Sequence, residues 1–323
     1  MKKALIIGIG GQDGTYLTRH LAGNGYQVLG TSRTPNRAKT NLTNNGISKK
    51  RVNILKLETN KQGDIENILK EQRPDEVYNL SGVSSVGYSI KHPLETYESI
   101  ASANQYILEY IRKYNKGIKY FMAGSTECFG DTGDTKANED TRFNPLSPYA
   151  CAKAAAFWQV KTYRKMYDMF CCTGILSNHE SEIRRETFVT QKIIKGVRSI
   201  KDKQTNILGL GDLEIKRDWG WAAEYVEAMN KMLISENAKD YIIATGKSIT
   251  LKEYAEIAFE KANLIADEHI RVDENIKRRN EGRVCSVDPG LIERDLGWKA
   301  KIDVNGVIER MWLSGIKEIA EKK

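Results

Sequence analysis

The tightest constraint on this chain lies near its start. Lys3 to Ile9 is an apolar run suited to a central parallel strand, and it passes straight into Gly8-Ile9-Gly10-Gly11-Gln12-Asp13-Gly14. Thr15-Tyr16-Leu17 and then Leu21 follow at helical spacing, and a second strand is expected over Tyr26 to Gly30. Strand, glycine turn, helix and strand in that order let backbone approach a pyrophosphate closely. The helix N-terminus then offers free N–H groups and the positive end of a dipole. A glycine triplet alone is a weak signal, and an ordinary tight turn is the alternative. Its place between strand and helix makes Gly8, Gly11, Gln12, Asp13 and Gly14 candidate cofactor contacts.

The end of the second strand bears on which cofactor. NAD sites tend to place an acid there for the ribose hydroxyls. Here the chain reads Gly30-Thr31-Ser32-Arg33, with Arg37 soon after and no acid. A planar guanidinium suits a 2′-phosphate. NADP is therefore expected, with NAD as the alternative if Arg33 is simply a solvated loop residue.

Strands and helices continue to alternate. Strands are expected over Val52–Leu57, Glu76–Leu80, Lys119–Ala123 and Phe170–Ile175. Helices are expected over Ile65–Gln72, Tyr97–Tyr114 and residues 149–168. This is the pattern of an α/β fold with a doubly wound parallel sheet of the Rossmann type, binding ligands at the carboxyl ends of its strands. After about residue 176 the elements become less regular and basic residues frequent, which suggests a smaller C-terminal α/β substrate domain. The expected division is 1–175 with a returning segment at about 218–246, against 176–217 and 247–323.

Composition excludes several classes. No apolar run approaches the roughly 18 residues of a spanning helix, and glycines interrupt the N-terminal run too early for a signal peptide. Five cysteines without CxxC spacing fit reduced thiols in a cytoplasm. Four scattered histidines make no ligand cluster, so no metal is expected. The net charge of +8 is spread among interleaved acids. That reads as solvated surface rather than a nucleic-acid face, with small anionic phosphates as a second use.

The chemistry centres on Ser147-Pro148-Tyr149-Ala150-Cys151-Ala152-Lys153 and on Ser125-Thr126-Glu127 upstream. Serine caps a helix and proline fits its first position, so Tyr149 and Lys153 share one face a turn apart. A phenol beside an ammonium suits hydride transfer at an alcohol. Free tyrosine titrates near ~10, and bringing it to neutrality takes about 4 kcal/mol. A neighbouring ammonium and a positive nicotinamide both act in that direction. Ser125, at a strand end, can bond the same sugar oxygen. Glu127 can remove a proton next to the resulting ketone. Read locally, a partly buried Tyr with a surface Lys at helical spacing, a turn serine and a satisfied structural acid remain the alternatives.

Together these residues resemble an extended short-chain dehydrogenase/reductase, and within it the GDP-mannose 4,6-dehydratases. The resemblance covers nearly the whole chain. Its carriers are the glycine turn, Pro74-Asp75-Glu76-Val77-Tyr78-Asn79-Leu80, Ser125-Thr126-Glu127, Ser147-Pro148-Tyr149, Asn178-His179-Glu180-Ser181 and Phe188-Val189-Thr190. Lys216-Arg217-Asp218-Trp219-Gly220, Tyr225-Val226-Glu227-Ala228-Met229, Ile243-Ala244-Thr245-Gly246 and Leu296-Gly297-Trp298-Lys299 follow. The resemblance implies Ser125 as the active-site hydroxyl, Glu127 as acid/base, Tyr149 as redox tyrosine and Lys153 as its lysine. Glu58 falls near the adenine. Ser84, Thr126, Asn178, Lys192, Arg217, Arg278 and Glu281 fall at substrate positions, several of them on the nucleotide diphosphate. It also implies NADP-dependent dehydration of a GDP-sugar, GDP-mannose or a relative such as a GDP-manno-heptose. A homo-oligomer, dimer or tetramer, is implied as well, with Arg37 on the loop that assembles it.

The chain departs from the family at Gly10, usually threonine, and at Val83 and Ser85, usually glutamine and histidine. Glu58 stands for aspartate, and Glu182 and Arg185 stand for proline and glycine. Most of these changes surround sugar and nucleotide rather than the redox centre. The rival readings are a GDP-sugar 4-dehydrogenase, epimerase or reductase on the same scaffold, and a non-catalytic NADP-binding protein.

Overall fold

In the computed structural model, residues 1–48, 52–276 and 282–320 are described, with 315–320 as backbone. The strands are β1 (Lys3–Ile7), β2 (Gln27–Ser32), β3 (Asn53–Lys56), β4 (Glu76–Asn79), β5 (Lys119–Ala123), β6 (Cys171–Leu176), β7 (Asn178–Glu180), β8 (Leu208–Leu210), β9 (Lys216–Trp221), β10 (Tyr241–Ile243), β11 (Ser248–Thr250) and β12 (Ile270–Val272). Among the described residues, seven of them form a parallel sheet in the order β10-β6-β5-β4-β1-β2-β3. The order reverses between β1 and β4, and the glycine turn follows β1 at that point, where such sheets bind ligands.

The two-residue period of a strand divides the core. Leu5 and Ile7 of β1 pack on one face with Val77, Tyr120, Ile107 and Phe157. Ala4 and Ile6 pack on the other with Tyr78, Phe121, Leu17, Val226 and Met229. Burial on both faces is why these strands read as unbroken apolar runs.

The helices that cover the sheet are α1 (Gln12–Gly23), α2 (Pro35–Asn44), α3 (Gln62–Gln72), α4 (Val86–Lys91), α5 (Pro93–Tyr97), α6 (Ala103–Tyr114) and α7 (Pro148–Tyr167). The expected helix over Tyr97–Tyr114 is interrupted by a wide π-helical turn at Glu98–Ser102. That turn lies against Gly82, whose φ is +108° and where a Cβ would sit 2.8 Å from Ile100 Cγ1. α7 begins as its sequence predicts: the Ser147 Oγ accepts from the Ala150 N–H at 3.1 Å and Pro148 takes the first turn. It ends at Tyr167, one residue short of the expected 168, because Asp168 turns left-handed with φ 52°.

The later elements are α8 (Val189–Lys201), α9 (Ala222–Ile234), α10 (Leu251–Glu260), α11 (Ala266–His269), α12 (Gly290–Leu296) and α13 (Val304–Ala320). α9 and β10 return to the large sheet, and β10 pairs with β6. Asp240 fixes that edge strand by accepting from Thr173 N at 2.8 Å and pairing with Arg164. A separate core gathers Ile193, Val197, Trp219, Tyr254, Phe259, Ile308 and Met311 beneath the short sheet β11-β9-β7. No described helix is long and apolar enough to cross a membrane.

Candidate active site

The glycine turn is shaped by close approach. Gly8 has φ +93°, and a Cβ on Gly14 would lie 2.6 Å from the Gly8 oxygen and from Ile9 Cα. Any larger residue at 14 would push α1 off the turn. At Gly11, which caps α1, a Cβ would meet only the Gly8 oxygen at 3.4 Å. The space in front of the helix N-terminus is therefore open, as a pyrophosphate requires. Gly10 has a different reason: its Cβ would fall 2.7 Å from Ala38 Cβ on α2, which leaves no room for the threonine of the resembled family.

Gln12 and Asp13 face the segment that follows β6. Gln12 Nε2 donates to the His179 carbonyl at 2.9 Å, and Ser181 Oγ donates to Gln12 Oε1 at 2.7 Å. His179 Nε2 lies 3.0 Å from both Asp13 oxygens, and its ring stacks on Tyr225 at 4.7 Å. Burial pushes the Asp13 carboxyl up, but His179 outweighs it and holds the group down at about 2. Burial likewise disfavours charge on His179, and Asp13 overcomes it, so the imidazole is raised above 6.5. The Asp13 contribution to stability is present above 3.8 and lost as pH falls through about 2. The His179 contribution is full below 6.5 and lost as pH rises through its raised value.

Four predicted residues meet where β5 ends and α7 begins. Ser125 follows β5 and caps a short 3₁₀ turn, Thr126–Phe129, by accepting from the Glu127 N–H at 3.3 Å. Lys153 is buried and donates from Nζ to the Ala123 carbonyl at 2.6 Å, at the last residue of β5. Its Nζ lies 5.8 Å from the Tyr149 ring centre. Burial pushes the Lys153 ammonium down to about 8, against the pull of Cys128 and Asp13. Burial pushes the Tyr149 phenol well above its usual range, Cys128 and Glu127 push it further, and a hydrogen bond with Ser125 opposes them. Burial outweighs the opposing hydrogen bond from Ser125, so Tyr149 is held as a neutral phenol.

Glu127 is a quarter exposed, and its Oε1 accepts from Arg217 Nε at 3.2 Å. Arg217 is buried on β9, next to β7, where Asn178 pairs with Trp219. Asn178 is half-buried. Lys192 on α8 donates to the Gly209 carbonyl at 2.7 Å. Thr126 is buried and its carbonyl accepts from the Cys285 thiol, while Ser84 is exposed. Arg33 is exposed, with Glu95 at 3.7 Å, and Glu58 is half-buried in the turn after β3. Arg278 and Glu281 lie outside the described residues.

Sequence reasoning gave no role to His179 or to Glu182. The latter accepts from Tyr16 OH at 2.5 Å and fastens the divergent segment to α1. Asp218 went unassigned too. Its carboxylate accepts from the N–H groups of Thr245, Gly246 and Lys247 at 2.7–3.1 Å. The only signal for His179 and Asp218 was their place inside the specific motifs.

The family model for GDP-mannose 4,6 dehydratase matches residues 5–311. GDP-mannose 4,6 dehydratase 1 of Arabidopsis thaliana is 38% identical over 320 residues, covering 96% of this chain and 88% of that protein. GDP-mannose 4,6-dehydratase of Vibrio cholerae is 32% identical over 350 residues, covering 98% and 94%. Among solved structures, a dTDP-glucose 4,6-dehydratase from Bacillus anthracis in complex with NAD superposes with a TM-score of 0.85 at 18% identity, covering 98% of each chain. UDP-glucose 4-epimerase from Thermotoga maritima with UDP-glucose gives 0.86 at 18% identity, covering 98% and 99%.

Proposed function

Because the chain belongs to the GDP-mannose 4,6-dehydratase family, we propose that it converts GDP-mannose, or a close relative such as a GDP-manno-heptose, into the GDP-4-keto-6-deoxy sugar with NADP as its resident cofactor. It is an enzyme of the hydro-lyase class, and GDP-sugar dehydration is its reaction. The observation that carries the finer reading is the meeting of Ser125, Glu127, Tyr149 and Lys153 at the carboxyl end of β5.

Gly8, Gly11 and Gly14 shape the open space before α1 that fits a dinucleotide pyrophosphate, and Arg33 fits a 2′-phosphate at the end of β2. Bound there, a nicotinamide dinucleotide supplies the hydride acceptor for C4 and the hydride donor for C6. Tyr149 takes the C4 hydroxyl proton while Ser125 holds the same oxygen. Lys153, anchored to Ala123, keeps a positive charge beside the phenol. Glu127 removes the C5 hydrogen, which the new C4 ketone has made acidic. Its protonated form then gives that proton to the C6 hydroxyl, which leaves as water. A solvent proton arrives at C5 as hydride reaches C6, and Tyr149 releases the C4 hydroxyl proton to solvent in exchange. The substrate thus loses one water, and the cofactor ends as it began. General acid–base assistance of this kind contributes ~10²–10⁴ in rate.

Two expectations follow from these roles. Once the charge of the bound cofactor has displaced the Tyr149 proton, kcat/KM for the sugar should decline as pH rises above about 8, where burial places the Lys153 ammonium; a pH–rate profile at saturating cofactor reads this. Arg33→Ala should weaken NADP by about tenfold or more, since a charge-assisted hydrogen bond contributes ~1.5–3 kcal/mol. NAD affinity should stay unchanged. Calorimetry with both cofactors checks this, and equal effects on the two would remove Arg33 from the 2′-phosphate. The function itself is tested by mass spectrometry of products from a small panel of GDP-hexoses and GDP-heptoses. Loss of one water without net cofactor consumption supports the reading, and stoichiometric cofactor reduction refutes it.

A further inference from the structure

Three cations from three separate elements converge beside the glycine turn. Arg33 follows β2, Arg37 lies in the first turn of α2, and Arg185 belongs to the segment after β7. α2 is pressed against the turn. A Cβ on Gly10 would meet Ala38 Cβ at 2.7 Å, and Asn41 Nδ2 donates to the Gly10 carbonyl at 3.2 Å. The segment after β7 is fastened to the start of α1 by its side chains. His179 meets Asp13 at 3.0 Å, Ser181 donates to Gln12 at 2.7 Å, and Tyr16 donates to Glu182 at 2.5 Å. The chain then turns sharply, with Arg184 N donating to the Ser181 carbonyl and Phe188 N to the Arg185 carbonyl, both at 3.1 Å.

The two arginines of that turn diverge. Arg184 is directed into the protein, 3.1 Å from the buried Glu180 carboxylate and 3.6 Å from the Phe188 ring centre. Arg185 is exposed and lies toward Arg37 and Arg33. Partial desolvation, then Arg37, Arg33 and Arg184 in decreasing order, pull its guanidinium below the usual arginine value. Among the described residues no carboxylate pairs with Arg185 or Arg37, and Arg33 has Glu95 at 3.7 Å, an acid that Tyr88 OH also engages. Arg33, Arg37 and Arg185 against Glu95 leave a surplus of about two positive charges, and a phosphate monoester carries about −1.5 to −2 near neutral pH. Solvated surface arginines spread apart, whereas these gather at the end of β2, where the adenosine ribose of a dinucleotide falls.

On the NADP reading above, we propose that Arg185 selects the cofactor, joining Arg33 on the 2′-phosphate that NADP carries and NAD lacks. The resembled family usually has glycine at this position, so the contact belongs to this chain's own divergent segment. A charge-assisted hydrogen bond to phosphate contributes about tenfold or more in affinity. Arg185→Ala should therefore raise the dissociation constant of NADP by about that factor and leave that of NAD unchanged. Arg185→Lys keeps the charge but loses the planar fork, and its affinity for NADP should fall between those of Arg185→Ala and wild type. Because the side chain is exposed, both variants should melt close to wild type.

Two small probes isolate the phosphate. Adenosine 2′,5′-bisphosphate differs from AMP only by its 2′-phosphate, and calorimetry on the full-length protein freed of cofactor reads both. In Arg185→Ala the bisphosphate should bind about tenfold or more weaker, with AMP unaffected. Equal losses on the two probes would place Arg185 on the shared 5′-phosphate, and no loss on either would make it a solvated cation. Both results overturn the proposal. A changed sedimentation mass in Arg185→Ala, with bisphosphate affinity unchanged, would overturn it as well and make the cluster an assembly surface. A wild-type protein that binds the bisphosphate no better than AMP would refute the NADP reading itself, and the role of Arg185 would fall with it. The wild-type preference thus tests the cofactor, and its loss in the variant tests the residue.

Discussion

Glu127→Gln is expected to bind GDP normally and to form product ~10²–10⁴ times more slowly than wild type. The amide matches the carboxylate in shape and keeps an oxygen to accept from Arg217 Nε. What it loses is the capacity to accept a proton. On the proposed mechanism, oxidation at C4 does not need that capacity, because Tyr149 and Ser125 act there. Removal of the C5 hydrogen does, and every later event waits on it. The variant should therefore show slow C5 exchange and almost no loss of the C6 oxygen, while its melting temperature stays close to wild type. Product assays in heavy water check both. Full turnover would take Glu127 out of the chemistry.

Tyr149→Phe should fall by a similar ~10²–10⁴, for an earlier reason. Phenylalanine preserves the half-buried ring and leaves Lys153 on the Ala123 carbonyl. Only the hydroxyl proposed to take the C4 proton is removed, together with its hydrogen bond to Ser125. Without a C4 ketone the C5 hydrogen stays non-acidic, so intact Glu127 has nothing to abstract. Supplying the variant with a preformed 4-keto sugar should then restore C5 exchange to near the wild-type rate. Glu127→Gln should show no such recovery. That contrast separates the two roles, which a simple loss of activity does not.

The fold was legible where burial is two-sided. β1, β4 and β5 were found almost to the residue, because strands covered on both faces are written as apolar runs. α2 was not read as a helix: it buries only Ala38 and Leu42, so its apolar period is faint. The small sheet of β7, β9 and β11 contains two three-residue strands, too short for any alternation to register. The π turn at 98–102 answers to Gly82, sixteen or more residues away, and no local pattern announces it.

The site shows the same division. Tyr149 and Lys153 are one turn apart on one helix, and Ser125 and Glu127 share one strand end, so spacing alone could nominate them. The groups that brace them come from far along the chain. Asp13 and His179 are separated by 166 positions, and Glu127 and Arg217 by 90. Pairings of that kind are set by the packing of β7 and β9 against the large sheet, and pairwise spacing carries no trace of them. The expectation for the tyrosine also shifted: in the free protein burial dominates its titration, and phenolate character must come from charge brought in with the ligands.

The most direct test is to run the wild-type enzyme on GDP-mannose in heavy water and locate the label by NMR. A carboxylate that removes the C5 hydrogen and drives out the C6 hydroxyl should give a 4-keto-6-deoxy sugar with one solvent deuterium at C5. A product that keeps its C6 oxygen and carries no deuterium at C5 would contradict the account.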